Sequence, residues 1–454
     1  MGTETKYLKL IQRTLWLFFI TVPIMGEYFT LFGALMTDHD LLRTLFDAAI
    51  DAADPSAALA KILPPKPKGR TVVVGAGKGV AQLAAAFETL WGERVDGVVV
   101  TRYGYSARCK HITVREAAHP VPDDAGYMAA RELFAAVSNL TADDLVVALI
   151  TGGGSALLPA PIDGLDLSDE QDLNAALLAS GAPIGVMNMI RKQISTIKGG
   201  RLAAAAYPAQ VISFVVSDVP GDDAAQVASG PTVADWTTRE QALRAIENYG
   251  IKLPQRVAAA LQRAPETAPL PDDPRFARNK VYVIASAQKS LEAAAKRARD
   301  HGLDAVILSD AIEGEARDVA KVHGAIARAV KTRHHPFVPP VVILSGGETT
   351  VTLRHKGKGG RNGEFQLALA LELDGVDGVT ALAADTDGID GSETNAGAFV
   401  DATSASRMRQ AGIDPLAALA QNDSWSAFNA VEDLFEPGPT GTNVNDFRAI
   451  IIRD

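Results

Sequence analysis

Apolar positions along the chain switch repeatedly between two periods. Short β-branched runs at 71–74, 96–101, 112–117, 144–151 and 210–216 read as buried strands, because a strand covered on both faces loses the alternation of a half-exposed one. Between them, 80–91, 123–138 and 184–200 carry apolar residues at helical spacing, the last with Ile184, Met187, Ile190 and Ile194 on one face. A polar, proline-spaced stretch at 253–280 interrupts the pattern as an interdomain passage would, with one short helix in it. The alternation then restarts with a strand at 281–285, helices at 287–301 and 313–333, and strands at 304–308 and 340–344. Helical patterns at 401–410 and 416–435 lead to a closing strand at 447–452. Strand and helix in alternation predict a parallel α/β sheet, and two such units predict an α/β protein of two domains, 37–270 and 271–454, with a cleft between them.

Residues 1–36 do not fit this pattern. The stretch 15–36 is apolar and aromatic and follows Lys6, Lys9 and Arg13, as a signal peptide or anchor would. Pro23 and Gly26 interrupt it, and Glu27 in mid-bilayer costs about 3 kcal/mol. Three readings stay open: an artefact of the start site, with translation beginning at Met36, an anchor, or a signal. From Met36 onward, Thr37 and Asp38 cap a predicted helix at 41–53 with Leu42, Leu45, Phe46 and Ala49 on one face.

Charge narrows the partners. With 44 basic against 54 acidic side chains the formal charge is -10, which argues against nucleic acid, whose phosphates call for a basic face. The single cysteine, Cys109, excludes an internal disulfide framework or a cysteine metal cluster and fits a reducing compartment. The expectation is a cytoplasmic protein with small-molecule substrates and no membrane contact, open to forming a homodimer.

Candidate chemistry gathers where glycines follow strands. Gly75-Ala-Gly77-Lys78-Gly79 sits between a strand and a helix, a ready anion site, with Lys78 the first candidate for a catalytic cation. It lacks the Ser or Thr that a P-loop sets after the lysine, and Val80 stands where the dinucleotide fingerprint wants Gly or Ala. Gly152, Gly153, Gly154 and Ser155 follow the next strand and favour the approach of an anion or a nucleotide. Arg191, Lys192 and Lys198 on the 184–200 helix face a carboxylate or a phosphate, and Asp218 at a strand end is a candidate general base. Ser345-Gly346-Gly347-Glu348 leads to a basic glycine loop with Lys356, Lys358 and Arg361, then to an acidic loop with Asp385 and Asp387. Backbone amides and cations against phosphate oxygens, with hard carboxylates for Mg2+, are the parts of phosphoryl transfer; Glu348 with Asp385 or Asp387 is the predicted metal site. An oxidoreductase is the rival, since Gly75 and Gly77 follow a strand as at a nicotinamide site. Thr101-Arg102 stands where a ribose-binding carboxylate is expected, an arrangement that only an NADP enzyme would suit.

The set G-A-G-K-G (75–79), H-P-V-P-D (119–123), T-G-G-G-S-A-L (151–157), S-D-V-P-G-D (217–222), A-S-G-P-T (228–232), S-G-G-E-T-T-V (345–351), G-K-G-G-R-N (357–362) and D-T-D-G-I-D-G (385–391) resembles the glycerate 2-kinase family, class II glycerate kinases with a C-terminal MOFRL domain. The resemblance runs from about residue 38 to the end. It implies a larger Rossmann-like domain and a smaller α/β MOFRL domain with the active site between them, and ATP- and Mg2+-dependent phosphorylation of D-glycerate on its 2-hydroxyl. By motif the family's active-site lysine and arginine fall on Lys78 and Arg361, and Gly77, Gly152 to Ser155 and Ser345 to Gly347 are the expected nucleotide contacts. Asp218 is then expected to orient or deprotonate the hydroxyl, with Arg191, Lys192 or Lys198 on the substrate carboxylate. Relatives of the family also carry the name hydroxypyruvate reductase. One departure stands out: the family reads G-R-N-Q-E where this chain has Gly363, which removes an amide that a ligand could use.

Overall fold

The structure, a computed structural model, describes residues 36–263 and 268–454; the apolar stretch that ends at Met36 otherwise lies outside the described residues. The first sheet has β1 (Thr71–Ala76), β2 (Asp96–Arg102), β3 (Thr113–Ala117), β4 (Leu145–Ile150), β5 (Gln210–Val216) and β6 (Lys280–Ala285) in the order β3-β2-β1-β4-β5-β6. Every neighbouring pair is parallel. This is the doubly wound order of dinucleotide-binding folds, and its direction reverses between β1 and β4, so a crevice opens beyond the carboxyl ends of those two strands. Both strands are buried at every position. Val72, Val74 and Val146 pack with the helix Asp124–Ala136, while Val73, Val147 and Leu149 pack on the other face with Leu83 and Phe87 of the helix Val80–Trp91.

The second sheet is mostly antiparallel. It contains β7 (Asp304–Ile307), β9 (Val341–Thr350), β10 (Val379–Asp385), β11 (Gly397–Asp401), β12 (Leu434–Phe435) and β13 (Asp446–Ile452) in the order β12-β11-β10-β13-β9-β7, with β8 (Ile312–Glu315) parallel to β9. The last strand is therefore central. It opens with Asp446 set opposite Asp385 of β10 and opposite Gly347 of β9, which brings the acidic loop and the Ser-Gly-Gly-Glu segment together.

Several expectations need correction. β6 pairs with β5, so the first domain runs past 270 to at least Ala285, and the stretch 253–280 is not a linker. It holds the helix Gln255–Arg263, whose Val257 and Leu261 pack on Leu173 and Leu177. At the other end, the helix Asp38–Ala52, capped by Thr37 in a reciprocal box with Asp40, packs Leu42, Leu45 and Phe46 against Leu291, Ala294 and Phe447. This N-terminal helix belongs to the second domain. The predicted helix at 184–200 stops at Gln193, and the pattern at 416–435 breaks into Pro415–Ala420 and Ser424–Asn429. Among the described residues no helix is long and apolar enough to cross a membrane.

Candidate active site

The crevice at the switch point is lined by the loops that leave β1 and β4. Gly77 donates its N–H to Val100 O at 3.1 Å, Lys78 to Gly152 O at 2.8 Å and Gly79 to Thr151 Oγ1 at 3.1 Å. The amides of the first glycine loop are thus spent on its neighbours, and Gly77 is corrected from a nucleotide contact to a packing glycine: a Cβ there would stand 2.1 Å from Thr151 Oγ1. The second loop is different. Among the described residues the N–H groups of Gly152 and Gly153 have no acceptor, and Gly153 takes the left-handed conformation at φ +79°. Glycine is required here for space as well, since a Cβ on Gly152 would lie 1.9 Å from Asp218 Oδ2 and one on Gly153 would lie 3.0 Å from Lys78 Cε and from His119 Nε2.

Lys78, His119, Asp218 and the β4 loop therefore converge. Burial pushes the Asp218 carboxyl above its ordinary range against the pull of Lys78, which suits a proton acceptor. Burial, reinforced by Lys78 and Arg102, brings His119 down to about 4, so its imidazole is neutral at physiological pH. His119 was not singled out in the sequence. Its motif, His-Pro-Val-Pro-Asp, was visible, but nothing local says that it faces Lys78.

Across the cleft, Arg361 is the first residue of the helix Arg361–Glu372 and reaches three carboxylates. Nε donates to Asp446 at 2.6 Å, Nη2 to Asp385 at 2.8 Å and Nη1 to Glu348 at 3.3 Å. Burial opposes its charge, but Asp446 and Asp385 more than offset that and hold it above the ordinary arginine range. Asp390 caps the same helix by accepting from the N–H of Asn362 at 3.0 Å and of Gly363 at 2.7 Å. A Cβ at Gly363 would meet Ser424 Oγ at 2.6 Å, so the family's glutamine would require that hydroxyl to turn away.

Other predicted contacts are relocated. Ser345, Gly346 and Gly347 lie within β9 rather than in a phosphate loop. The Ser345 hydroxyl is buried against His323 Nε2 at 3.0 Å, and the Gly346 N–H donates to Ser309 O at 2.8 Å. Gly347, at φ +127°, lets β8 approach: a Cβ would stand 2.2 Å from Ile312 O. Lys192 and Lys198 are fully buried in ion pairs, Lys192 with Asp235 and Lys198 with Glu170 at 2.6 Å, so neither amino group is open to a substrate. Arg191 is half-buried, and its Nε donates to Asn174 Oδ1 at 2.9 Å. It donates to Asn188 Oδ1 at 3.1 Å, Ser229 Oγ donates to the same atom at 2.9 Å, and Ser155 Oγ lies 2.7 Å from Ser229 Oγ, a chain that ends in the β4 loop.

Among the described residues no three His, Cys, Asp or Glu side chains stand as a ready metal cage. The donor set nevertheless fits Mg2+, which needs only one or two protein carboxylates when phosphates complete its shell. Five carboxylates, Glu348, Asp385, Asp387, Asp390 and Asp446, surround two guanidiniums, Arg361 and Arg448. Burial, with Asp387 and Asp446 beside it, pushes the Asp385 carboxyl upward against the opposing pull of Arg361, as expected of a cluster short of positive charge. Asp385 is buried against Arg361 at 2.8 Å, whereas Glu348 meets the same guanidinium at 3.3 Å from an exposed position, which leaves Glu348 and Asp387 as the better placed pair.

A doubly wound sheet and a mixed sheet that meet over glycine amides, cations and carboxylates define a two-domain α/β protein built for a polyanionic ligand. Residues 41–262 match a domain of unknown function, DUF4147, and residues 341–446 match the MOFRL family. A D-glycerate 2-kinase of Thermotoga maritima is 38% identical over 88% of this chain and 94% of its own length. A putative hydroxypyruvate reductase of Agrobacterium vitis is 50% identical over 91% of this chain and 94% of its own. The crystal structure of a glycerate kinase from Thermotoga maritima matches with a TM-score of 0.82 at 36% identity, covering 91% of this chain and 98% of that one. The chain belongs to the glycerate 2-kinase family, in which a MOFRL domain follows DUF4147.

Proposed function

We propose that the protein transfers the γ-phosphoryl group of ATP to the 2-hydroxyl of D-glycerate, giving 2-phosphoglycerate and ADP. The observation that carries this reading is the pairing of two cations in one cleft: Lys78, beside the open amides of Gly152 and Gly153, and Arg361, locked by Asp446, Asp385 and Glu348. The walls meet at Asp218, whose carboxyl feels both Lys78 and Glu348, the partner of Arg361, and two such positive groups suit a phosphoryl group whose charge spreads over its equatorial oxygens in transit. The amides of Gly152 to Ser155 hold nucleotide phosphates. Arg191 binds the glycerate carboxylate, and Asp218 accepts the proton of the 2-hydroxyl as its oxygen bonds to phosphorus and the bond to ADP breaks. Glu348 and Asp387 would hold Mg2+, which would supply charge neutralisation at the phosphates. Use of ATP as a substrate supports a cytoplasmic location.

The reductase reading draws on the strand order and on the name of the 50%-identical relatives. Against it, the amides that would receive a dinucleotide pyrophosphate, those of Gly77, Lys78 and Gly79, are already bonded within the protein. A coupled assay with D-glycerate, ATP and Mg2+, resolving 2- from 3-phosphoglycerate, run beside NADH and NADPH oxidation on hydroxypyruvate, tests both. Magnesium-dependent 2-phosphoglycerate with no hydride transfer is expected; NAD(P)H consumption without ATP turnover would overturn the kinase reading. Lys78→Ala should lower kcat by on the order of a hundredfold with little change in the glycerate KM, because its cation serves the charge that develops in transfer.

A further inference from the structure

The two walls of the cleft belong to different domains, so their chemistry depends on mutual alignment. Two consecutive residues at the start of β13 address both. Asp446 is almost fully buried and holds Arg361: Oδ1 accepts from Arg361 Nε at 2.6 Å and from Asn362 Nδ2 at 2.8 Å, while Oδ2 accepts from Thr349 N at 3.2 Å and from Arg448. Asn445, the residue before it, donates Nδ2 to the backbone carbonyl of Asp218 at 2.9 Å, across 227 positions of sequence. Its own carbonyl accepts from Thr386 N at 3.1 Å and Thr386 Oγ1 at 2.7 Å, which ties it to the acidic loop as well.

The backbone of Asn445 is in the left-handed region at φ +66°. Asparagine tolerates that region better than most residues, but glycine occupies it without steric cost, so the turn alone does not call for this side chain. What the side chain adds is the bond to the proton acceptor's strand end.

We propose that Asn445 and Asp446 act as a positioning pair, Asp446 fixing the Arg361 guanidinium and Asn445 fixing Asp218 relative to it, so that one rigid dipeptide sets the register between the two halves of the active site. The proposal rests on the kinase reading for its kinetic consequences. A misplacement of reacting groups by about 1 Å costs on the order of a hundredfold in rate.

The decisive variant is Asn445→Gly, which keeps the backbone geometry and removes only the amide. Its expected signature is a kcat lowered by roughly ten- to a hundredfold, with both KM values within about twofold and the melting temperature within about 2 °C of wild type. Asp446→Asn should lower kcat at least as far, and adding Arg361→Ala to it should cost little more, because the two act as one unit. Spin labels at the exposed positions Leu178 and Leu416, introduced as cysteines in a Cys109→Ser background, should report a broader interdomain distance distribution for Asn445→Gly. A wild-type kcat in Asn445→Gly, or an unchanged distance distribution, overturns the proposal. A wild type without kinase activity would instead overturn the function assigned above, and the distance measurement would then decide the positioning role by itself.

Discussion

Lys198 and His323, both buried, show how differently an ionisable group can be used. Lys198 donates to Glu170 at 2.6 Å and to Leu158 O at 2.9 Å in a nearly dry site. Removing one partner of such a pair strands the other, so Lys198→Met should destabilise the fold by about 3–5 kcal/mol in urea titration; a loss confined to the glycerate KM would return Lys198 to the substrate site. From the sequence it reads as a substrate-binding cation, because its true partner lies 28 residues away on another element. His323 donates from Nδ1 to Val319 O at 2.9 Å and accepts at Nε2 from Ser345 Oγ at 3.0 Å, which fits the neutral ring. Burial brings its pKa down to about 4, below its ordinary value near 6.5. The unfolded chain therefore takes up a proton that the folded one refuses, and stability is lost as pH falls from about 6.5 towards 4. At pH 5 this amounts to roughly 2 kcal/mol, so His323→Gln should lose about that much less stability than wild type between pH 7.5 and pH 5 in parallel denaturant titrations. By contrast Lys78 and Arg361 were legible, because their glycine-rich surroundings marked them locally. Asp446 was not, since it meets Arg361 only through the pairing of the last strand with the middle of the sheet, 85 positions away.

At the level of elements, glycine was the main source of misreading. Gly346-Gly347 suggested a turn, yet β9 runs unbroken from Val341 to Thr350, and Gly347 is there because β8 passes too close for a side chain. Gly347→Ala would set a Cβ 2.2 Å from Ile312 O at a φ of +127° that alanine avoids. It should cost several kcal/mol, on the order of an overpacked and strained core site, whereas Gly346→Ala, with its nearest neighbour at 3.2 Å, should cost about 1 kcal/mol. Thermal melts of the two variants side by side check the contrast; equal losses would point back to a flexible loop. The strands themselves were well marked, because β-branched runs buried on both faces leave little ambiguity in β1, β4 and β5. The second sheet was harder to read, since antiparallel neighbours such as β10 and β13 lie 61 residues apart at their nearest ends, from Asp385 to Asp446, and no local pattern announces the partner.

The domain boundary is a property of the whole molecule, and here the chain crosses it twice. The helix Asp38–Ala52 precedes the first sheet in sequence but covers the second in space. Leu41, Leu42, Leu45 and Phe46 are buried, Phe46 meets Phe435 and Phe447 edge to face at 4.9 and 5.7 Å, and Ala49 O accepts from the buried Ser290 Oγ at 2.9 Å. Four large apolar side chains at about 1.5–3 kcal/mol each give roughly 6–12 kcal/mol as an upper bound. That is comparable to the entire stability of an ordinary domain, about 5–15 kcal/mol. A fragment of residues 286–454 alone should therefore expose Leu291, Phe435 and Phe447, bind a hydrophobic dye and unfold without a sharp transition. The same fragment with residues 36–54 joined through a flexible linker should unfold cooperatively and exclude the dye. If the bare fragment already melts sharply, the helix is a passenger on the second domain, and the stability of its sheet must come from the helix Ala316–Arg333 and the helix Arg361–Glu372 on the opposite face. The sequence could not reveal this crossing, because amphipathicity shows that a helix needs an apolar partner and is silent about which sheet supplies it.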